Sequence, residues 1–133
     1  MSGKAAASSL KFGTSGLRGL VTDLVGGPAQ AWTRAFLDHR DQAGAGGRLL
    51  LVGRDLRASS PGIAADCIAA AKAAGWRVAD CGAVPTPALA LEAMRRDAAA
   101  VMVTGSHIPD DRNGLKFYKP AEISKDDEAA IRA

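Results

Sequence analysis

Apolar positions along this chain alternate between two rhythms. Short continuous apolar runs mark strands buried on both faces, and longer stretches with one apolar face mark helices. The first helix is predicted from Pro28, suited to the first helical position, to about Ala43, with Trp32, Ala35 and Phe36 on one face. The glycine-rich segment Ala43–Gly47 ends it. Leu49–Val52 reads as a strand. Ser60 as N-cap and Pro61 as first residue start a second helix, with the stripe Ile63, Cys67, Ala70, Ala71, Ala74 and a stop at Gly75. Trp76–Cys81 is the next strand. A turn-rich loop, Gly82–Pro87, opens a third helix over Ala88–Arg96, with Ala90, Leu91 and Met94 inward. Ala98–Thr104 is a fully apolar strand. The polar loop GSHIPDDRNG leads to Leu115–Tyr118, where Leu115 and Phe117 face one way and Lys116 and Tyr118 the other. Ser124, with Asp127 three residues on, opens a last helix in the manner of a capping box.

Strands and helices in alternation predict an α/β domain. The expected architecture is a three-layer α/β/α sandwich around a mixed, mostly parallel sheet of about four strands. The last strand follows its neighbour with no helix between them, so it is predicted to be antiparallel and at an edge. Residues 1–10 read as a flexible polar lead and 11–133 as one domain. The last helix begins at Ser124 and the sequence stops at Ala133 with apolar Ile131 still on it, as expected of a piece of a longer multi-domain chain.

Composition sharpens this picture. Hydrophobic residues make up 47% but aromatics only 5%, and 28 of the 133 residues are alanine, so close helix-on-sheet packing is expected. No apolar run approaches the roughly 18 residues of a membrane span. The N-terminal segment lacks the apolar core of a signal peptide. Two cysteines, Cys67 and Cys81, make neither a disulfide framework nor a metal site, so reduced thiols and a cytoplasmic location are expected. The net charge of +3 suits an anionic small ligand. No basic block with interleaved aromatics points to nucleic acid.

Ligands of open α/β sheets bind beyond the carboxyl ends of the strands. GRDLRASS (Gly53–Ser60) and TGSHIPDDRNG (Thr104–Gly114) lie there, and GTSGLRG (Gly13–Gly19) is a third polar glycine segment. Ser106 is a hydroxyl beside Gly105, where the backbone is open to an anion, and His107 is a candidate base or phosphate partner. Taken alone, the pair is equally an ordinary turn. The third segment offers Thr14, Ser15 and backbone N–H groups to an anion, with Arg18 as a permanently charged donor, or it is a flexible turn. Lys116, just past the tight-turn pair Asn113-Gly114, is either aimed at the Ser106 loop or solvated on an edge strand. Arg54, Asp55 and Arg57 read as a structural ion-pair lattice. His39 reads as a packing or cap residue and Cys67 as an inert core thiol. A Ser-His hydrolase would need the G-x-S-x-G elbow, which does not occur.

In this order, FGTSGLRG (Phe12–Gly19), GRDLRASS, GAVPTPAL (Gly82–Leu89) and VTGSHIPDDRNGLKFY (Val103–Tyr118) resemble the N-terminal domain of the α-D-phosphohexomutases, the phosphomannomutases and phosphoglucomutases. The resemblance implies that Ser106 carries a phosphoryl group. It would exchange that group with hexose 1- and 6-phosphates through a hexose 1,6-bisphosphate. It further implies Mg²⁺ bound through the phosphate on Ser106. His107, Arg18 and Lys116 would form the catalytic set, and Thr14, Ser15, Gly105 and Asn113 would contact substrate or phosphate. The implied partners are a phosphohexose and the remaining domains of the same enzyme. The alternative is a phosphosugar- or phosphate-binding module without covalent chemistry.

Two positions depart from the family's T-A-S-H-N-P loop. Gly105 in place of Ala is expected to loosen it, and Ile108 in place of Asn removes a side-chain amide. The family's D-G-D-x-D-R metal loop, sugar-reading loop and phosphate-binding loop do not occur in this sequence, so little or no mutase activity is expected of the 133 residues alone.

Overall fold

A computed structural model describes residues 9–12, 16–25, 27–42, 47–105, 111–119, 121 and 123–132. In chain order the strands are β1 (Lys11–Phe12), β2 (Gly16–Leu20), β3 (Leu49–Arg54), β4 (Arg77–Ala83), β5 (Ala99–Val103) and β6 (Arg112–Tyr118). The helices are α1 (Val21–Leu24), α2 (Gly27–Gln42), α3 (Ser60–Ala73), α4 (Thr86–Arg96) and α5 (Lys125–Arg132). All six strands form one sheet in the order β1-β2-β6-β5-β3-β4. β3 runs parallel to both β4 and β5, while β6, β2 and β1 extend the sheet antiparallel from β5.

The α/β sandwich and its mixed sheet are as predicted, with two strands more than expected. The added strands, β1 and β2, lie in the glycine-rich N-terminal segment. Leu17 is buried there between small or polar neighbours, so no apolar run announces a strand. Their presence also moves the last strand. β6 is antiparallel as expected, but it sits between β2 and β5 instead of at the edge. Asn113-Gly114 accordingly belongs to β6 and is not a turn.

Alternation along the strands sends side chains to two cores. Leu50, Val52, Val101, Val103, Leu115 and Phe117 pack on one face with Phe36 of α2, Ile63, Cys67 and Ala71 of α3, and Ile131 of α5. The rings of Phe36 and Phe117 stack there with centroids 4.7 Å apart. Leu51, Ala100, Met102 and Tyr118 pack on the other face with Leu89 and Ala93 of α4. The crossover through α3 steps outward from β3 to β4, and the one through α4 steps back across β3 to β5. Opposite steps of one handedness place the two helices on opposite faces and open a crevice between β3 and β5.

Two local expectations change. Leu91 and Met94 of α4 point outward, 64% and 56% exposed, whereas Leu89 and Ala93 face the sheet. The phase of α4 is set by Leu89, which nests over Gly53, where a Cβ would lie 3.2 Å from Leu89 Cδ2. At the start of α3 the cap position is Ser59, and neither Ser59 nor Ser60 caps the helix through its side chain in the expected manner. The capping box of the last helix forms as read, with Ser124 Oγ accepting from Asp127 N–H at 3.1 Å and Asp127 Oδ2 accepting from Ser124 N–H at 2.8 Å. Among the described residues no helix is long and apolar enough to cross a membrane.

Candidate functional site

Two connections meet at the carboxyl ends of β3 and β5. Asp55, one residue past β3, donates its N–H to the carbonyl of Val103, the last residue of β5, at 2.9 Å. The Asp55 side chain then gathers donors from both connections. Oδ1 accepts from Arg57 N–H at 3.1 Å and from the Ser60 hydroxyl. Oδ2 accepts from Gly105 N–H at 3.0 Å and lies 3.3 Å from Arg57 Nε. Burial pushes the Asp55 carboxyl up. The hydrogen bonds from Ser60, from the N–H groups of Gly105 and Arg57, and from the Thr104 hydroxyl outweigh it and hold the pKa below the ordinary carboxylate value. The expected ion pair of this segment is therefore present between Asp55 and Arg57, as one part of a larger network.

Gly105 and Asn113, read from the sequence as contacts for substrate or phosphate, have other partners. The N–H of Gly105 is given to Asp55. Its missing side chain leaves room for the Arg57 guanidinium, which occupies the place a Cβ would take. Glycine here seats an arginine; the loop that Gly105 was expected to loosen lies outside the described residues. Asn113 is fully buried. Its amide nitrogen donates to the Ser59 and Ser60 hydroxyls, both at 2.9 Å, and its carbonyl accepts from Gly114 N–H at 2.8 Å. Asn113 therefore supports the site from beneath.

Arg18 and Lys116 are brought together by strand register. Lys116 of β6 pairs with Gly16 of β2, and Arg18 pairs with Gly114. A period of two puts both cations on one face of neighbouring strands, on a diagonal that spans roughly 7–8 Å between Cα atoms. Each cation thus has a glycine directly opposite. At Gly114 a Cβ would lie 3.0 Å from Arg18 Cγ, 2.6 Å from Leu17 O and 3.2 Å from Thr104 O. The stem of Arg18 thus lies over Gly114, whose carbonyl accepts the N–H of Thr104 at 3.0 Å. Lys116 is half-buried, its Nζ 5.9 Å from the centre of the Tyr118 ring. Tyr118 itself is buried, so this side of β6 is not the solvated edge that one reading of the sequence gave it.

Thr14, Ser15, Ser106 and His107 lie outside the described residues. His39, expected to pack or cap, bonds Asp127 through Nε2 at 2.8 Å and so ties α2 to the start of α5. Among the described residues no group of three or more His, Cys, Asp or Glu is placed to hold a metal ion. Asp55 lies near the crevice, but both its oxygens are engaged. The described residues do not by themselves fit Mg²⁺.

Sequence reasoning missed the linkage of Asp55, Ser60 and Asn113. Its only trace was the placement of the GRDLRASS segment at the carboxyl end of a strand.

A model of the family "Phosphoglucomutase/phosphomannomutase, alpha/beta/alpha domain I" matches residues 9–133. A phosphomannomutase of Sinorhizobium fredii is 56% identical over 128 residues, covering 92% of this chain and 27% of the relative. A phosphoglucosamine mutase of Hyphomonas neptunium is 39% identical over 118 residues, 88% of this chain and 26% of the relative. The crystal structure of a putative phosphomannomutase from Thermus thermophilus superposes with a TM-score of 0.81 at 28% identity, covering 93% of this chain and 29% of that one. The chain thus spans about a quarter of the length of these relatives. This chain belongs to the phosphoglucomutase/phosphomannomutase family, as its α/β/α domain I.

Proposed function

We propose that this chain is the phosphoryl-carrying domain of a phosphohexomutase, with Ser106 as the carrier. In the forward half, a hydroxyl of the hexose monophosphate attacks the phosphorus on Ser106. The P–O bond to Ser106 Oγ breaks, a P–O bond to the sugar forms, and the hydroxyl proton ends on Ser106 Oγ. The product is a hexose 1,6-bisphosphate. In the return half Ser106 Oγ attacks the other phosphorus, and that sugar oxygen recovers the proton. Arg18 and Lys116 hold the equatorial charge of the group in flight, and His107 orients the serine. Phosphoryl transfer needs alignment and charge neutralisation above all, which fixed cations supply.

The observation that carries this reading is the register that sets Arg18 and Lys116 on one face, each opposite a glycine. Thr14 and Ser15 complete the phosphate contacts in this reading. Mg²⁺, the choice of hexose and full turnover depend on ligands beyond the described residues, from further domains of the same enzyme. Free thiols at Cys67 and Cys81 fit a cytoplasmic setting.

Intact-mass analysis tests the reading. After incubation of the chain joined to the enzyme's further domains with a hexose 1,6-bisphosphate and Mg²⁺, one phosphoryl group is expected that maps to Ser106 and is missing in Ser106→Ala. Reversible binding of the sugar phosphate, with no covalent phosphate under any condition, would instead identify a binding module.

A further inference from the structure

Gly105 and Asn113 flank the segment that contains Ser106, one on either side. Both are tied to one carboxylate. Gly105 donates its N–H directly to Asp55 Oδ2 at 3.0 Å. Asn113 donates its amide to Ser60 Oγ at 2.9 Å, and that hydroxyl donates to Asp55 Oδ1. The carboxylate is itself held by Arg57 N–H at 3.1 Å and by Arg57 Nε at 3.3 Å. Arg57 Nη1 reaches the carbonyl of Arg112, next to Asn113, at 3.4 Å. Each link alone is an ordinary hydrogen bond. Together they fix both ends of the intervening stretch against the start of α3.

We infer that Asp55 is a positioning residue for phosphoryl transfer, acting with Ser60 as a clamp that holds Gly105 and Asn113 at a fixed separation and direction. Its functional consequence rests on the reading of Ser106 as the phosphoryl carrier, whereas the clamp itself does not. The carboxylate has both oxygens engaged by protein donors. It acts by orienting the backbone on which the serine is mounted, where a misplacement of about 1 Å costs roughly 10²-fold in rate. An acceptor-only group is required, because every atom facing it is a donor. The depressed pKa agrees, since donors on both oxygens favour the charged form.

The test is Asp55→Asn, which keeps the shape and turns one oxygen into a donor facing another donor. Two quantities are read: exchange of the Gly105 amide hydrogen, and the single-turnover rate of phosphoryl arrival at Ser106 from a hexose 1,6-bisphosphate. Gly105 exchange is expected to quicken by about tenfold or more. The maximal transfer rate is expected to fall by about 10²-fold with the half-saturating concentration unchanged. Ser60→Ala is the milder variant should Asp55→Asn fail to fold. It cuts the link to Asn113, and the rate is expected to fall by up to about tenfold. Ile131→Ala, a core change on α5 in the opposite face of the sheet, controls for stability. The proposal is overturned if the folded variants keep wild-type Gly105 exchange and rate, or if Ile131→Ala slows transfer as much. If the wild-type chain, joined to the enzyme's further domains, takes no phosphate at Ser106, the functional reading fails, while Gly105 exchange still decides the clamp.

Discussion

The two faces of the sheet are built differently. One is covered by α2, α3 and α5 and holds the stacked Phe36 and Phe117. The other is covered by α4 over β3 and β5, and it is the face that carries Arg18 and Lys116 on β2 and β6. The first face invests its side chains in burial. The second places charge on a stiff antiparallel extension whose stability is supplied from behind, by Leu17, Leu115 and Phe117. A site built on strands, with its packing on the opposite face, can trade surface chemistry without disturbing the core.

The largest effect that would probe this division is on the thick face. Phe36→Ala removes a fully buried ring stacked on Phe117 and is expected to cost about 3–5 kcal/mol, read by urea denaturation. Lys116→Met on the other face should do the opposite. Stability should stay within about 0.5 kcal/mol, while phosphoryl arrival at Ser106 slows by about 10²-fold. A large stability loss in Lys116→Met would break the comparison.

The next effect lies where α5 joins the thick face. Burial pushes the Asp127 carboxyl up, but His39, Lys119 and Ser124 outweigh it and hold its pKa well below the carboxylate range. A depressed folded-state pKa gives stability that is present above the unfolded value, about 4, and is lost as pH falls below it. Asp127→Asn should therefore cost about 2 kcal/mol at neutral pH and flatten the acid limb of the denaturation profile. An unchanged acid limb would show that the contacts of Asp127 with His39, at 2.8 Å, and Lys119, at 2.6 Å, contribute nothing. The smallest effect is Leu91→Gln on the outer side of α4, expected within about 0.5 kcal/mol in the same denaturation series.

Periodicity was enough to read most of the fold. The apolar runs at Leu49 and Ala98 and the stripe Ile63–Cys67–Ala70–Ala71 became β3, β5 and α3, because burial on both faces of a parallel strand leaves a local trace. β1 and β2 left none, since glycines and one leucine make a strand only when β6 is there to pair with. The phase of α4 was misread because the bulkiest residues, Leu91 and Met94, are outside, and the space over Gly53 chose Leu89.

The site divides in the same way. Arg18 and Lys116 could be nominated by residue type and by motif, and the family followed from the order of four motifs. Their common face could not be read, because it depends on a register between strands nearly a hundred residues apart in sequence. The same holds for Asp55, Ser60 and Asn113. Each looked like an ion pair, a cap or a turn, since local chemistry offers those uses first. Only the pairing of β5 with both β3 and β6 brought a carboxylate, a hydroxyl and an amide from three segments within hydrogen-bond distance. The chain by itself determined which groups were present and what local elements they could form. The tertiary structure decided which of them face one another, because hydrogen bonds and charge pairs act over a few ångströms and sequence spacing does not set that distance.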